Sequence, residues 1–227
     1  MLQVIIEPSA YVNMVAGFES SQPQLRFILP KIALFFDLVH VFGEIHEIDK
    51  RIDGFGKIAF VPMELISESQ IFVKYQIRAK EYVRSFTYCE AGDILLAKIT
   101  PCLENGKQGI VPYDAPNGFV LATTEVFPIR CKGVDTLFLF YVLKFAKFRN
   151  KIIASMTGTT GRQRASKESV LELEVPLPPL PEQRKIAETL LHLDNVLQLK
   201  ERKKEKLVMM KKRLMNLLLT GKVRVTI

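Results

Sequence analysis

Residues 176–199 read "PLPPLPEQRKIAETLLHLDNVLQL", and this stretch restricts the fold more than any other part of the chain. Four prolines fall within six residues. Each fixes its φ and removes a backbone donor, so the segment cannot enter a central strand ladder. It is expected to run extended, as a boundary that sets the exit angle of the next element. A helix can begin at Pro181, where a missing N–H costs nothing, and Glu182 complements the positive end of the helix dipole. From Glu182 to Leu219 there is neither Gly nor Pro, a run of 38 residues that would reach about 57 Å as an unbroken helix. Core helices commonly run about 8–20 residues, so the length points to a projecting rod rather than another core helix. Gly221 supplies its C-terminal stop.

The apolar positions along this rod are spaced as a seam. Ile186, Leu190, Leu193 and Leu197 follow 4-3-4 steps, and Leu207, Met210, Leu214 and Leu217 follow 3-4-3 steps. Such a stripe pairs helices in coiled coils. Between the two halves, "KERKKEK" at 200–206 would put charge in the seam, which either interrupts the pairing or shifts its register.

The net charge of +8 becomes informative once it is placed along the chain. Residues 182–227 hold 12 basic and 5 acidic side chains, so nearly all of the excess lies in the rod and its tail. A second basic field, without a single acid, runs from Thr136 to Lys167 and contains Lys144, Lys147, Arg149, Lys151, Arg162, Arg164 and Lys167. Such a field attracts a polyanion such as nucleic acid, although a solvated helix face can be equally basic. Cys89, Cys102 and Cys131 form no CxxC pair and suit a reducing compartment, so a cytoplasmic location is expected. The early apolar runs "FILP" and "IALFFDLVHVF" are interrupted by Pro30, Lys31, Asp37 and His40. They fall short of the ~20 residues a membrane span needs, and no membrane partner is expected.

From about Phe42 to Arg130, short apolar runs such as "KIAFVPM", "QIFVKYQI", "DILLAKIT" and "GFVLATTEVFPI" alternate with Gly-containing turns, a strand pattern. Asp135 suits the N-cap of one helix over about 136–155, on which Lys144, Lys147 and Lys151 would share a face. The expected fold is α+β. It has an N-terminal extension (1–36), a β-rich, twisted or barrel-like domain (37–175), a proline-rich boundary (176–181), and a long coiled-coil-forming helix with its tail (182–227).

Signs of catalysis are sparse. The chain holds no Walker-type loop, no GxGxxG and no Asn-Pro-Pro-Tyr motif of the DNA methyltransferase type. His40, His46 and His192 are scattered without metal spacing, and Glu90 with Asp93 is a carboxylate pair of a kind common on surfaces, so neither a metal nor a catalytic residue is expected. Two stretches suit binding instead. "AKITPCLENGKQGIV" (97–111) presents Lys98, Thr100, Asn105, Lys107 and Gln108 around a tight turn. "MTGTTGRQRASK" (156–167) presents Thr157, Thr159, Arg162, Gln163, Arg164 and Lys167 on a Gly-rich loop. Lys, Arg and Thr bond phosphate, Asn, Gln and Arg bond base edges, and glycine lets the backbone approach closely. With Lys144, Lys147 and Lys151 these residues are the candidate DNA-binding set. The plainer alternative is that the Gly and Thr residues only make turns and Gln163 bonds backbone.

Taken together, "GDILLAKITPCLENGKQGIV", "ATTEVFPIR", "MTGTTGRQRASKESVLELEVPLPPLPEQRKIAETL" and "LLLTGKVRV", with "FGEIHEIDKR" near the start, resemble the specificity (S) subunit of type I restriction-modification systems over about residues 42–225. The resemblance implies a non-enzymatic target recognition domain for double-stranded DNA, followed by a spacer helix. Members of that family usually carry two of each. One of each here implies a half-length form that self-associates as an antiparallel homodimer and reads a split, palindromic site. It also implies methyltransferase (M) and restriction (R) subunits as partners, with S-adenosylmethionine, ATP and magnesium bound only there and no cofactor in this chain. The alternative is an orphan or inhibitory coiled-coil subunit that occupies the methyltransferase without productive DNA recognition. Residues 1–36 lie outside the resemblance, and Ala122-Thr123-Thr124 stands where a Gly-Ser pair usually precedes "TE".

Overall fold

A computed structural model describes residues 31–33, 52 and 54–225 other than 84, 132 and 160. The "FGEIHEIDKR" segment and most of the N-terminal extension fall outside the described residues. The strands are β1 (Lys31–Ala33), β2 (Lys57–Val61), β3 (Gln76–Ala79), β4 (Thr87–Glu90), β5 (Ile94–Ala97), β6 (Gln108–Ile110), β7 (Phe119–Ala122), β8 (Val126–Ile129) and β9 (Glu174–Pro176). The helices are α1 (Thr136–Lys144), α2 (Ala146–Ala154), α3 (Lys167–Leu171) and α4 (Leu180–Leu219).

The β-richness expected from the apolar runs is present, and among the described residues the strands form separate sheets rather than one closed barrel. They divide into a four-stranded sheet ordered β3-β2-β7-β4, a three-stranded sheet ordered β6-β5-β8, and the antiparallel pair β1-β9. Period-two alternation explains the layering. In β2, Ile58 and Phe60 enter one apolar cluster with Phe119, Leu121 and Tyr88, while Ala59 and Val61 enter a second with Val120, Ala122 and Leu95. In β5, Leu95 faces that second cluster, whereas Ile94 and Leu96 face a third, shared with helices α1 to α3. The two larger sheets are thus glued face to face, and the helices cover the far side of β6-β5-β8. Gly109 in β6 permits close approach of the 71–73 segment, since a Cβ there would lie 2.5 Å from Val73 Cγ1. Each fully buried Leu, Ile or Phe in these clusters contributes about 1.5–3 kcal/mol.

Asp135 caps α1 as its position suggests, its Oδ1 accepting from the Phe138 N–H at 2.9 Å. The single helix over 136–155 is corrected to two. Phe145 adopts φ −70°, ψ 126° and separates α1 from α2. Burial explains the break. Leu143 and Ile152 both belong to the helix-side core, yet in one unbroken helix they would sit about 180° apart. An extended residue between them turns Phe148 and Ile152 back inward.

α4 begins at Leu180, one residue before the expected Pro181, and continues unbroken to Leu219. Its first turns pack on α1, with Ala187 buried and Leu191 against the helix-side core. Beyond residue 198 its side chains are exposed as far as 216. Among the described residues no helix is long and apolar enough to cross a membrane.

Candidate nucleic-acid interface

The two stretches singled out for binding lie side by side. β5 runs on through Lys98, and Ile99 bridges Arg164 in antiparallel fashion. The Thr100 N–H donates to the Gln163 carbonyl at 3.0 Å, and the Ala165 N–H to the Lys98 carbonyl at 2.8 Å. The 157–164 loop is itself a tight hairpin, in which Thr157 and Arg164 exchange two backbone bonds of 3.0 and 2.9 Å. Gly158 is required there. Its φ is +128°, and a Cβ would come within 2.9 Å of the Arg162 carbonyl. A third turn joins the edge through the Lys98 N–H, which donates to the Glu125 carbonyl at 3.1 Å.

On this edge Asn105, Thr157, Thr159, Arg162 and Arg164 are exposed, while Lys98, Thr100, Lys107, Gln163 and Lys167 are half-buried. Arg164 is committed to Glu125 in a fork, Nε to Oε2 at 3.0 Å and Nη2 to Oε1 at 2.8 Å. These hydrogen bonds hold the Glu125 carboxyl below the usual carboxylate range against the opposing effect of burial, with the charges of Arg164 and Lys98 assisting. The tie is therefore intact at neutral pH and loosens only as pH falls through that lowered value. Arg164 positions the loop. Arg162, two residues earlier, is exposed and has no side-chain partner among the described residues. Lys98 Nζ lies 5.5 Å from the Phe127 ring centroid, the Thr100 hydroxyl donates to Glu104 Oε1 at 2.9 Å, and Lys107 Nζ donates to the Met63 carbonyl at 3.1 Å.

Three expectations are corrected. Gln108 is only 1 % exposed, so it cannot reach a groove. Its Nε2 donates to the Phe140 carbonyl at 2.7 Å and its Oε1 accepts from Arg149 Nη2 at 3.3 Å. Gln108→Ala is expected to lower stability by about 1–3 kcal/mol in denaturant melts and leave base preference unmoved, the usual cost of stranding buried polar partners. The shared face of Lys144, Lys147 and Lys151 is lost at Phe145. Lys147 and Lys151 remain exposed, but Lys144 is half-buried over the Phe140 ring at 5.3 Å, and that burial pushes its amine down although Asp194 opposes the shift. Asp93, 2 % exposed, is half of a structural clamp: Arg130 donates to it at 2.9 and 3.0 Å and pairs with Glu90 at 3.0 Å. Among the described residues no group of three or more His, Cys, Asp or Glu could hold a metal ion.

The seam positions of α4 are open. Leu193, Leu197, Leu207, Met210 and Leu214 are all more than half exposed, and Ile186, Leu190 and Leu217 are half-buried. The neighbouring face of the helix carries contacts that the seam spacing does not announce. Gln183 accepts from the Asp135 N–H at 2.9 Å and donates to the Pro178 carbonyl at 2.8 Å. The Tyr141 hydroxyl donates to Asp194 Oδ2 at 2.9 Å. Residues 183, 187, 191 and 194 recur at helical spacing, but only the contact with α1 reveals the polar ones as docking groups.

Residues 44–209 match the family model described as the type I restriction modification DNA specificity domain. Over 173 residues the chain is 31 % identical to the type I restriction enzyme MjaVIII specificity subunit of Methanocaldococcus jannaschii, covering 76 % of this chain and 38 % of that protein. It is 33 % identical over 149 residues to the EcoAI specificity subunit of Escherichia coli, covering 63 % and 25 %. The chain thus spans well under half the length of these relatives. Among solved structures, the crystal structure of the HsdS subunit from Thermoanaerobacter tengcongensis superposes with a TM-score of 0.55 at 20 % identity, covering 78 % of this chain and 47 % of that one. A chain from a type I R-M complex assembly study superposes at 0.56 and 18 % identity, covering 75 % and 45 %. At that identity the likeness is one of fold.

Proposed function

Because the chain belongs to the family of type I restriction-modification DNA specificity domains, we propose that it is a non-catalytic specificity subunit that recognises double-stranded DNA. In this reading residues 37–175 form the target recognition domain, and α4 is the spacer that places methyltransferase and restriction subunits. Those partners carry S-adenosylmethionine, ATP and magnesium, and the assembly works in the cytoplasm. The observation that supports DNA recognition best is the convergence of the 98–107 turn and the 157–164 loop into one edge rich in Lys, Arg, Thr and Asn. Phosphate contacts there would fix register, and Asn105 or Arg162 would reach base edges. Arg162→Ala is expected to weaken DNA binding by the assembled complex and to reduce the slope of log affinity against log salt by about 0.9. An unchanged slope in a folded variant argues against this edge.

The spacing of the seam supports an antiparallel second copy. Laid antiparallel about a point between residues 201 and 202, Ile186 meets Leu217, Leu190 meets Leu214, Leu193 meets Met210 and Leu197 meets Leu207 of the second copy. Glu201 then faces Arg202 of the second copy at the centre. Run antiparallel, the 4-3-4 and 3-4-3 halves match to within one residue at every layer, so the stripe can meet its own copy, as a twofold interface requires. Twofold symmetry in the protein requires an inverted repeat in the DNA. Methylation mapping of the reconstituted complex should return a palindromic site with an unread centre, and an asymmetric split site would exclude the homodimer.

A further inference from the structure

We propose that the direction in which α4 leaves the recognition domain is fixed by α1 rather than by the prolines, through a two-point mount made of Gln183 and the Tyr141–Asp194 pair. The prolines at 176, 178, 179 and 181 restrict φ but leave each ψ to be set by something else. Gln183 sets the base. It is 2 % exposed, its Oε1 accepts from the Asp135 N–H, and its Nε2 donates to the Pro178 carbonyl. Asp135 in turn caps α1. One side chain thereby ties the N-cap of α1, the proline segment and the first turn of α4.

The second point lies 11 residues further on. Eleven residues are just over three whole turns and about 16.5 Å of rise, so Asp194 returns to the face of Gln183. There it accepts the Tyr141 hydroxyl at 2.9 Å, and Ala187 and Leu191 fill the space between. A rod held at one point pivots. Held at two points that far apart, it cannot tilt without breaking one of them. Apolar packing alone tolerates sliding, whereas a buried amide satisfied on both sides accepts one geometry. α1 is itself bonded to β6, through Gln108 and the Phe140 carbonyl, and β6 leads directly out of the 98–107 turn. Gln183, Tyr141 and Asp194 are positioning residues, and the mount makes the domain and helix one rigid piece. Its consequence for DNA rests on the spacer reading above. The mount itself does not.

The test uses the full chain with D114C and K206C, both exposed positions, in a C102S background. Cys89 is buried, which keeps it from the label, and the half-buried Cys131 is replaced by Ala. Spin-labelled chain diluted into excess unlabelled chain should give one narrow intramolecular distance by pulsed electron spin resonance. Y141F and Q183A should each lose that narrow peak, while D194N, which keeps an acceptor oxygen for the Tyr141 hydroxyl, should retain it. Y141F decides the matter if Q183A fails to fold. A narrow peak that survives Y141F, or a wild-type distribution already broad, overturns the mount. On DNAs with graded gaps, Y141F should flatten the gap preference. If the distance broadens while gap preference stays sharp, the mount stands and the spacer reading fails.

Discussion

Leu193→Glu is expected to abolish self-association, and a second chain carrying Met210→Lys is expected to restore it as a heterodimer. Leu193 is 53 % exposed in the single chain and Glu is as good a helix former as Leu, so the fold should tolerate the change. In the antiparallel register, however, Leu193 of each copy is buried against Met210 of the other. An uncompensated charge in such a layer costs about 3–5 kcal/mol. The twofold axis repeats the layer, so the dimer should weaken by roughly four orders of magnitude or more. In the mixed dimer, the carboxylate introduced at position 193 of one chain meets the ammonium introduced at position 210 of the other, and the twofold-related layer keeps its native Leu and Met. The mixture should therefore favour the heterodimer over either homodimer. Sedimentation equilibrium of each variant and of the mixture reads this directly. Parallel helices would bring position 193 against 193, so a missing rescue would exclude the antiparallel register even if Leu193→Glu alone dissociates the chain.

The long helix was legible in the sequence because its signals are local. Proline at its start, an uninterrupted run of helix formers and glycine after its end place it to within a residue of Leu180–Leu219. The strands were legible for the same reason, through alternation. The break at Phe145 was not, because "FYVLKFAKF" contains no helix breaker, and only the need to bury Leu143 and Ile152 on one side forces it. Gln108 faces the core rather than a DNA groove, and the sequence carries a signal for this. It shares a strand face with Ile110, which is buried, and period two therefore directs it inward. The fork between Arg164 and Glu125 and the docking of Gln183 on Asp135 join residues far apart in the chain, and no local pattern encodes them.

Removing residues 199–205 from α4 is expected to contract the preferred gap between half-sites by about three base pairs while the half-site bases stay the same. Seven residues shorten the helix by ~10.5 Å and keep the seam on one face, and at ~3.4 Å per base pair that is about three pairs. The choice of segment matters. It is centred on residue 202, next to the proposed twofold point, so all four apolar layers keep their partners and the loss falls on the charged block "KERKKE" together with Leu199. Both attachment points of the helix to α1, at Gln183 and Asp194, lie outside the deletion, so each domain should keep its angle to the rod. Three base pairs also turn the DNA by roughly a third of its ~10.5-pair repeat, and this rotation would lower methylation even with the distance correct. Binding to DNAs of graded gap length separates the two effects, because an optimum can shift while its height falls. Should a folded, dimeric deletion variant keep its original optimum, α4 joins the two copies without measuring the distance between them, and the gap is set by the partner subunits.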